Sequence, residues 1–353
     1  MNNIQKTILC YIILFFLSFA SNAQNDTLNR TDKYGKKYGY WKQYKNGILL
    51  WEGQFYNDKP IGEIYHYFPN GKVSSYSKYY PNSPKVNAII YHKNGQKASE
   101  GEYINKEKNG KWMYYNANGI LICEENWKNG LKNGICKIFS SQNGILLEEK
   151  EWLMGKLHGI YKTYYPSGQA RICMNYNKGQ MDGDFTCYYP NGKIWRKGQY
   201  SKDFRIGQWT LYNEDGNEIK IENIENGSPT QTILGFQTAG QWLKIDSRQI
   251  AYFYHNVDDI VMQLNNKKTI RILNTNLNDI AVTAGFELFI FINKNVLSSY
   301  NAIRKVEYTH NDGIEEAIIT LYPHPDFEVF ASGEELQSLK SLLNTNEPSP
   351  NDN

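Results

Sequence analysis

Two histidine–aspartate pairs stand near the C-terminal end of the chain, His310 with Asp312 in HND and His324 with Asp326 in PHPD. An imidazole beside a carboxylate is a plausible metal-ligand or acid–base set, and the pairs meet if the strands that carry them pair. Their spacing fits no metalloenzyme motif such as HExxH, and Pro323 and Pro325 make a shaped loop the simpler account. No catalytic residue, metal or cofactor is therefore assigned. His66, His92 and His158 fall at positions of an internal repeat and read as structural. There is no GxSxG, no P-loop and no GxGxxG opening a helix, which argues against an enzyme.

Cysteine offers a second chemistry. Cys10 lies in an apolar leader, leaving Cys123, Cys136, Cys173 and Cys187. The spacings 123 to 136 and 173 to 187 permit two disulfides, each linking neighbouring repeats, if the compartment is oxidising. Four small buried apolar residues fit the same pattern. No CxxC occurs, so zinc and thioredoxin-type readings lack support. The third chemistry is stacking. Trp41, Tyr44, Trp112, Tyr115, Tyr161, Tyr164, Tyr188, Trp209 and Tyr212 recur at fixed offsets and form a candidate aromatic ladder for sugars, peptide or another sheet. The same ladder also serves as cross-strand pairs that hold a thin sheet together.

These residues are positioned by a repeat. A turn glycine recurs at Gly47, Gly71, Gly95, Gly119, Gly144, Gly168, Gly192 and Gly216, and a lead glycine precedes it by eight to ten residues at Gly39, Gly62, Gly110, Gly134, Gly159, Gly183 and Gly207. Asn87 takes the lead slot of the third unit. Each unit reads as a hairpin: a short alternating strand, a turn rich in Asn and Gly, and a return strand. Positions two and five residues after the lead glycine differ by an odd number, so they point to opposite faces. Residues 31–219 hold 22 of the 28 Tyr, 7 of the 8 Trp and 22 of the 28 Gly. That composition marks a domain.

Glu151–Gly168 (EWLMGKLHGIYKTYYPSG) and Tyr176–Phe185 (YNKGQMDGDF) resemble the MORN repeat in its bacterial variant. The resemblance covers residues 38 to 219. It implies a long, twisted antiparallel sheet of stacked hairpins, and it extends to antitoxin-like proteins of the YwqK type. Cell-wall repeats that bind choline or glucan share the GxWxYY pattern, but their period is shorter. Eight hairpins at ~4.8 Å per strand give a sheet on the order of 75 Å long.

The remaining segments differ. Ile8 to Ala20 is a 13-residue apolar run behind Lys6, followed by Ser21-Asn22-Ala23. This is the three-part pattern of a secretory signal peptide cut before Gln24, and the run is short for a bilayer span, which needs ~20 residues. Asn226-Gly-Ser-Pro229 reads as a break. Beyond it, strands are predicted over 241–245, 249–254, 260–264, 269–273, 287–292, 304–308, 317–322 and 327–330. Ser332-Gly-Glu-Glu335 opens an amphipathic helix carrying Leu336, Leu339, Leu342 and Leu343. Residues 24–219 carry 28 basic and 19 acidic side chains, and residues 220–353 carry 10 and 17. A basic plate and an acidic domain invite docking in cis or between copies, or contact of the plate with anionic envelope polymers. The whole-chain net charge of +3 argues against nucleic acid.

The expected organisation is a signal peptide at 1–23, a MORN-type repeat domain at 31–220, a β-rich C-terminal domain at 231–343 and a disordered tail at 344–353. The fold class is mainly β: an elongated single-layer antiparallel sheet of about eight stacked MORN-type β-hairpins, followed by a β-rich α+β domain ending in one helix. The expected function is an exported, non-enzymatic platform, periplasmic, cell-surface or secreted, for a protein partner or an envelope glycan or lipid. It uses no small-molecule cofactor, and self-association through sheet edges is open. The alternatives are an antitoxin- or immunity-like protein that neutralises its partner by direct binding, and a C-terminal hydrolase or metal site targeted by the repeats.

Overall fold

The computed structural model describes residues 28–311 and 314–344. The signal-peptide reading of residues 1–23, Asp312 and the tail after Asn344 lie outside the described residues. The chain is mainly β. Strands from Arg30–Thr31 to Trp242–Asp246 make a 20-stranded antiparallel sheet of consecutive hairpins. Two smaller sheets and two helices follow.

Local chemistry explains the hairpins. At one end of the strands the turns place two residues in the left-handed region, as at Asn129 (φ 49) and Gly130 (φ 74). This primed turn matches the twist of the flanking strands. At the other end, Asn116 Oδ1 accepts from the amides of Asn118 and Ile120 at 3.0 Å, and Gly119 N–H donates to the Asn116 carbonyl at 2.9 Å. A register shift follows each such turn at the same slot: Tyr44, Tyr67, Tyr91, Tyr115, Phe139, Tyr188 and Tyr212. These bulges strengthen the local twist. Neighbouring turns are laced together, since Asn94 Nδ2 donates to the Ala117 carbonyl and Asn116 Nδ2 to the Ser141 carbonyl, both at 2.7 Å.

The chain divides into two compact units. One comprises residues up to Gly168 together with Tyr176–Gly179; the other holds Gln169–Asn175 and everything from Gln180. In the first unit the buried core runs one residue deep: Ile64, Ala88, Trp112 and Cys136. The second unit begins with the last repeats, and its sheet continues through Glu218–Glu225, Ser228–Gln237 and Trp242–Asp246. The expected break at Asn226–Pro229 is therefore corrected. Asn226 (φ 50) and Gly227 (φ 81) form another primed turn, and Glu225 pairs with Ser228 across it.

Beyond the long sheet lies a five-stranded sheet ordered Thr269–Ile272, Asp259–Leu264, Ile250–Asn256, Val296–Ser299, Phe289–Asn293. A three-stranded sheet of Ile303–Asn311, Ile314–Leu321 and Phe330–Ser332 follows it. Helix α1 spans Leu277–Ala284 and helix α2 Gly333–Asn344. The final helix matches expectation, and Leu336 and Leu339 are buried; the Leu342 and Leu343 side chains lie outside the described residues. Helix α1 and the strand Val296–Ser299 were not foreseen. Helix α1 is only eight residues with Val and Thr inside, so propensity alone is weak. It forms because Asn276 caps it, accepting from Asp279 N–H at 2.9 Å, and because Leu277, Ile280, Ala281 and Ala284 are buried on one stripe.

Candidate interaction surface

The sheet of the first unit has two chemically different faces. Trp112 is 1% exposed and lies on Gly101, where an added Cβ would come within 2.3 Å of the ring. Its Nε1 donates to the Glu102 carbonyl at 3.0 Å. In the second unit Trp209 repeats the arrangement on Gly198, with Nε1 donating to the Gln199 carbonyl at 3.2 Å. These two tryptophans are core and offer no open ring to a sugar. A cation two residues before the lead glycine completes the packing. Lys108 lies 4.7 Å from the Trp112 ring and 4.9 Å from Trp127, and its Nζ donates to Tyr114 Oη at 2.6 Å. Lys37 lies within about 5 Å of Trp41, Trp51 and Phe55, and Lys132 covers Trp152 at 5.2 Å. Each aromatic box is filled by the chain's own lysine.

The opposite face is polar and paired. Tyr115 Oη donates to Glu100 at 2.9 Å and Tyr164 Oη to Glu149 at 2.6 Å, fifteen residues apart in both cases. Tyr67 and Glu52 form the same pair. Lys137 bridges Glu149 at 2.9 Å and Lys97 bridges Glu100 at 2.7 Å. The Tyr164 hydroxyl and Lys137 hold the Glu149 carboxyl below its ordinary range. Burial pushes Glu100 up, but Lys97 and Tyr115 outweigh it, so this carboxyl also sits low. Burial and the bond to Glu100 push Tyr115 up to about 12. In the second unit Lys197 occupies the glutamate slot, 5.4 Å from the Tyr212 ring.

The other ladder residues divide. Trp41 is half-buried and donates to the Arg30 carbonyl at 3.0 Å. Tyr44 is half exposed. Tyr161 meets Tyr176 edge-to-face at 5.9 Å, and burial raises the Tyr188 hydroxyl. The ladder is thus largely an internal stay.

One region of the paired face breaks the pattern. Leu131, Ile135, Leu153, Met154 and Ile160 are 43 to 52% exposed. Ile135 adjoins buried Cys136 and Leu153 adjoins Trp152, so both point away from the tryptophan face. Ile135 pairs with Glu151, whose carboxylate accepts from the Ile160 amide at 3.4 Å. A Cβ at Gly155 would touch Leu131 at 3.5 Å. The five exposed apolar side chains thus cluster on the fifth and sixth hairpins, with the Glu151 carboxylate between Ile135 and Ile160. Sequence reasoning missed it, although the signal was present. The slot after the lead position holds Tyr40, Glu63, Ala88, Lys111, Asp184 and Gln208 in the other units but Ile135 and Ile160 here.

His310 and His324 do not meet. Ile303–Asn311 and Ile314–Leu321 do pair, but antiparallel, with His310 opposite Glu315 and Ile303 opposite Leu321. His324 follows Leu321 and so lies at the far end of the hairpin, roughly 20 Å or more from His310 at ~3.4 Å per residue. His324 Nδ1 sits 2.7 Å from the Pro325 carbonyl, and Asp326 lies close enough to Tyr252 and Tyr254 to raise their hydroxyls, after burial. Among the described residues no three His, Cys, Asp or Glu side chains gather as a metal site. Of the cysteines read as possible disulfides, Cys123 stands opposite Ile138 rather than Cys136, and Cys187 stands opposite Arg196. Burial pushes the Cys123 thiol up to about 11.

The MORN repeat variant family matches residues 87–105, 108–129, 157–178 and 181–202. No curated protein matches the chain. Among solved structures, the LytTr DNA-binding domain of a response regulator from Bacillus cereus is similar over 31% of this chain and 95% of that chain, at 13% identity and a TM-score of 0.26.

Proposed function

We propose that this chain, a carrier of MORN-variant repeats, is an exported non-enzymatic binding platform. Its partner is a protein, engaged through the apolar patch on the fifth and sixth hairpins. One observation carries the reading. Leu131, Ile135, Leu153, Met154 and Ile160 are exposed on two neighbouring hairpins of a face that elsewhere carries Tyr–Glu–Lys pairs. Contiguous apolar surface rimmed by charge is the usual form of a protein-binding site. The apolar leader before Gln24 supports export to the periplasm, cell surface or medium. His310 and His324 lie at opposite ends of one hairpin, which does not favour the alternative of a hydrolase or metal site built from the two.

The test is capture from envelope extract by the full mature chain and by an Ile135→Lys/Ile160→Lys variant, read by mass spectrometry. A specific protein retained by the first and lost by the second supports the reading. Equal retention by both, or sedimentation of both with envelope polymer or lipid alone, overturns it.

A further inference from the structure

Within the second unit, a cleft of about 540 Å³ opens between the last repeat and α1, walled by Trp209, Lys220, Val282 and Thr283. Two guanidinium groups enter it. Arg205 lies 4.5 Å and Arg196 4.9 Å from the centroid of the Trp209 ring. Gly198 occupies one side of that ring, so both arginines lie against what remains.

The charges facing the cleft do not close. Glu222, 7% exposed, takes Arg205 and also Lys220, the latter at 2.8 Å. Lys220 spends a further donor on the Ala284 carbonyl at the end of α1, at 2.8 Å. Each Glu222 oxygen is thereby engaged by a cation. Arg205 Nε stays buried with no hydrogen-bond acceptor, and Arg196 has no carboxylate partner among the described residues. The remaining acid on the wall, Glu287, is exposed. Three cations thus face two acids, and only one of those acids is at depth. Burial, and then the neighbouring Arg205, make the charged form of Arg196 harder to hold. A planar guanidinium with all its donors open matches carboxylate and phosphate geometry.

We propose that this cleft binds an oxyanion, the carboxylate or phosphate group of a small ligand, bridged between the Arg196 and Arg205 guanidinium groups. The inference does not rest on the apolar patch, which belongs to the other unit. The bound group supplies the acceptors that Glu222 cannot and cancels the repulsion between the two arginines. Arg205 is tied to Glu222 and so also holds the fold, whereas Arg196 is free to serve the ligand.

The test is isothermal titration of the full mature chain at low salt, with inorganic phosphate in one arm and malonate in the other. Saturable binding is expected in at least one arm, and the arm that binds more tightly distinguishes a phosphate from a carboxylate ligand. Arg196→Gln weakens binding at least about tenfold, while thermal stability without anion stays equal or rises, because a like-charge contact is removed. Val282→Trp, which narrows the cleft without altering charge, also weakens binding, and this variant serves if Arg196→Gln does not fold. Absence of saturable binding in both arms, or equal binding by the wild-type chain and both variants, overturns the proposal.

Discussion

The hairpins of the first unit and the small sheets beyond residue 250 hold themselves together in different ways. In the hairpins a repeat buries at most one apolar residue, such as Ile64, Trp112 or Cys136, and leans on its neighbours for the rest. Beyond 250, two continuous clusters form, one around Phe253, Met262, Phe289 and Leu297, the other around Tyr252, Ile292, Ile319 and Leu339. The first arrangement is one-dimensional: cohesion comes from the adjoining rung and damage stays local. The second is a closed core in which every element needs the others, so damage spreads.

Substitutions sharpen that contrast. Phe253 is fully buried, with ring centroids 5.5 Å from Phe236 and 5.4 Å from Phe289. Phe253→Ala should cost about 3–5 kcal/mol. Hydrogen exchange is expected to rise throughout the five-stranded sheet together; a rise confined to one strand would break the comparison. Gly101→Ala places a methyl in the Trp112 ring and should cost about 1–3 kcal/mol. Here faster exchange should stay within the hairpins next to Trp112. Spread across the whole unit would count against rung-by-rung cohesion.

Tyr115→Phe tests the other face. It removes one hydrogen bond to Glu100 and should cost about 1 kcal/mol in a denaturant titration. The pH dependence follows from the same pairs. Glu149 and Glu100 have depressed folded pKa values, so their contribution is present above the ordinary carboxylate range and lost as pH falls through it. Burial raises Tyr76, Tyr115 and Tyr161 from 10.0 to about 12, so their contribution is present below pH 10.0 and lost as pH rises toward about 12. The denaturation midpoint should fall on both flanks, and a flat alkaline limb would remove the tyrosine term. The smallest effect is a gain. Met154 sits at φ 48 in a primed turn, where Asn129 stands one repeat earlier. Met154→Asn should raise stability by about 0.5 kcal/mol in the same titration.

The hairpin architecture was readable because turn chemistry and period are local. Gly47, Gly71 and Gly95 announce turns whatever the tertiary setting. The opposite-face placement of Trp112 and Tyr115 followed from strand alternation. What the alternation could not supply was occupancy. It gave two aromatic faces, but not that Gly101 lets the Trp112 ring lie flat on backbone, nor that Lys108 then covers it. Helix α1 was obscured because its cap and buried stripe outweigh a poor local propensity. Whether His310 and His324 meet could not be read from the sequence, since adjacency in an antiparallel hairpin depends on register rather than on pairing alone.

The lacing of turns has a consequence for how such a chain can change over time. Asn94 reaches Ala117 and Asn116 reaches Ser141, so each unit carries at one edge the donor and at the next the acceptor that its neighbour requires. Units are interchangeable couplings. Removing residues 96–119 joins Gly95 to Ile120, which reproduces the existing junction of Gly119 with Ile120 and keeps the spacing of the turns. Removing any number that is not a whole period throws side chains to the wrong face or leaves turns unlaced. The length of the plate is therefore a quantised trait that drifts by whole repeats, which gives a lineage a ready way to tune reach without inventing a new contact.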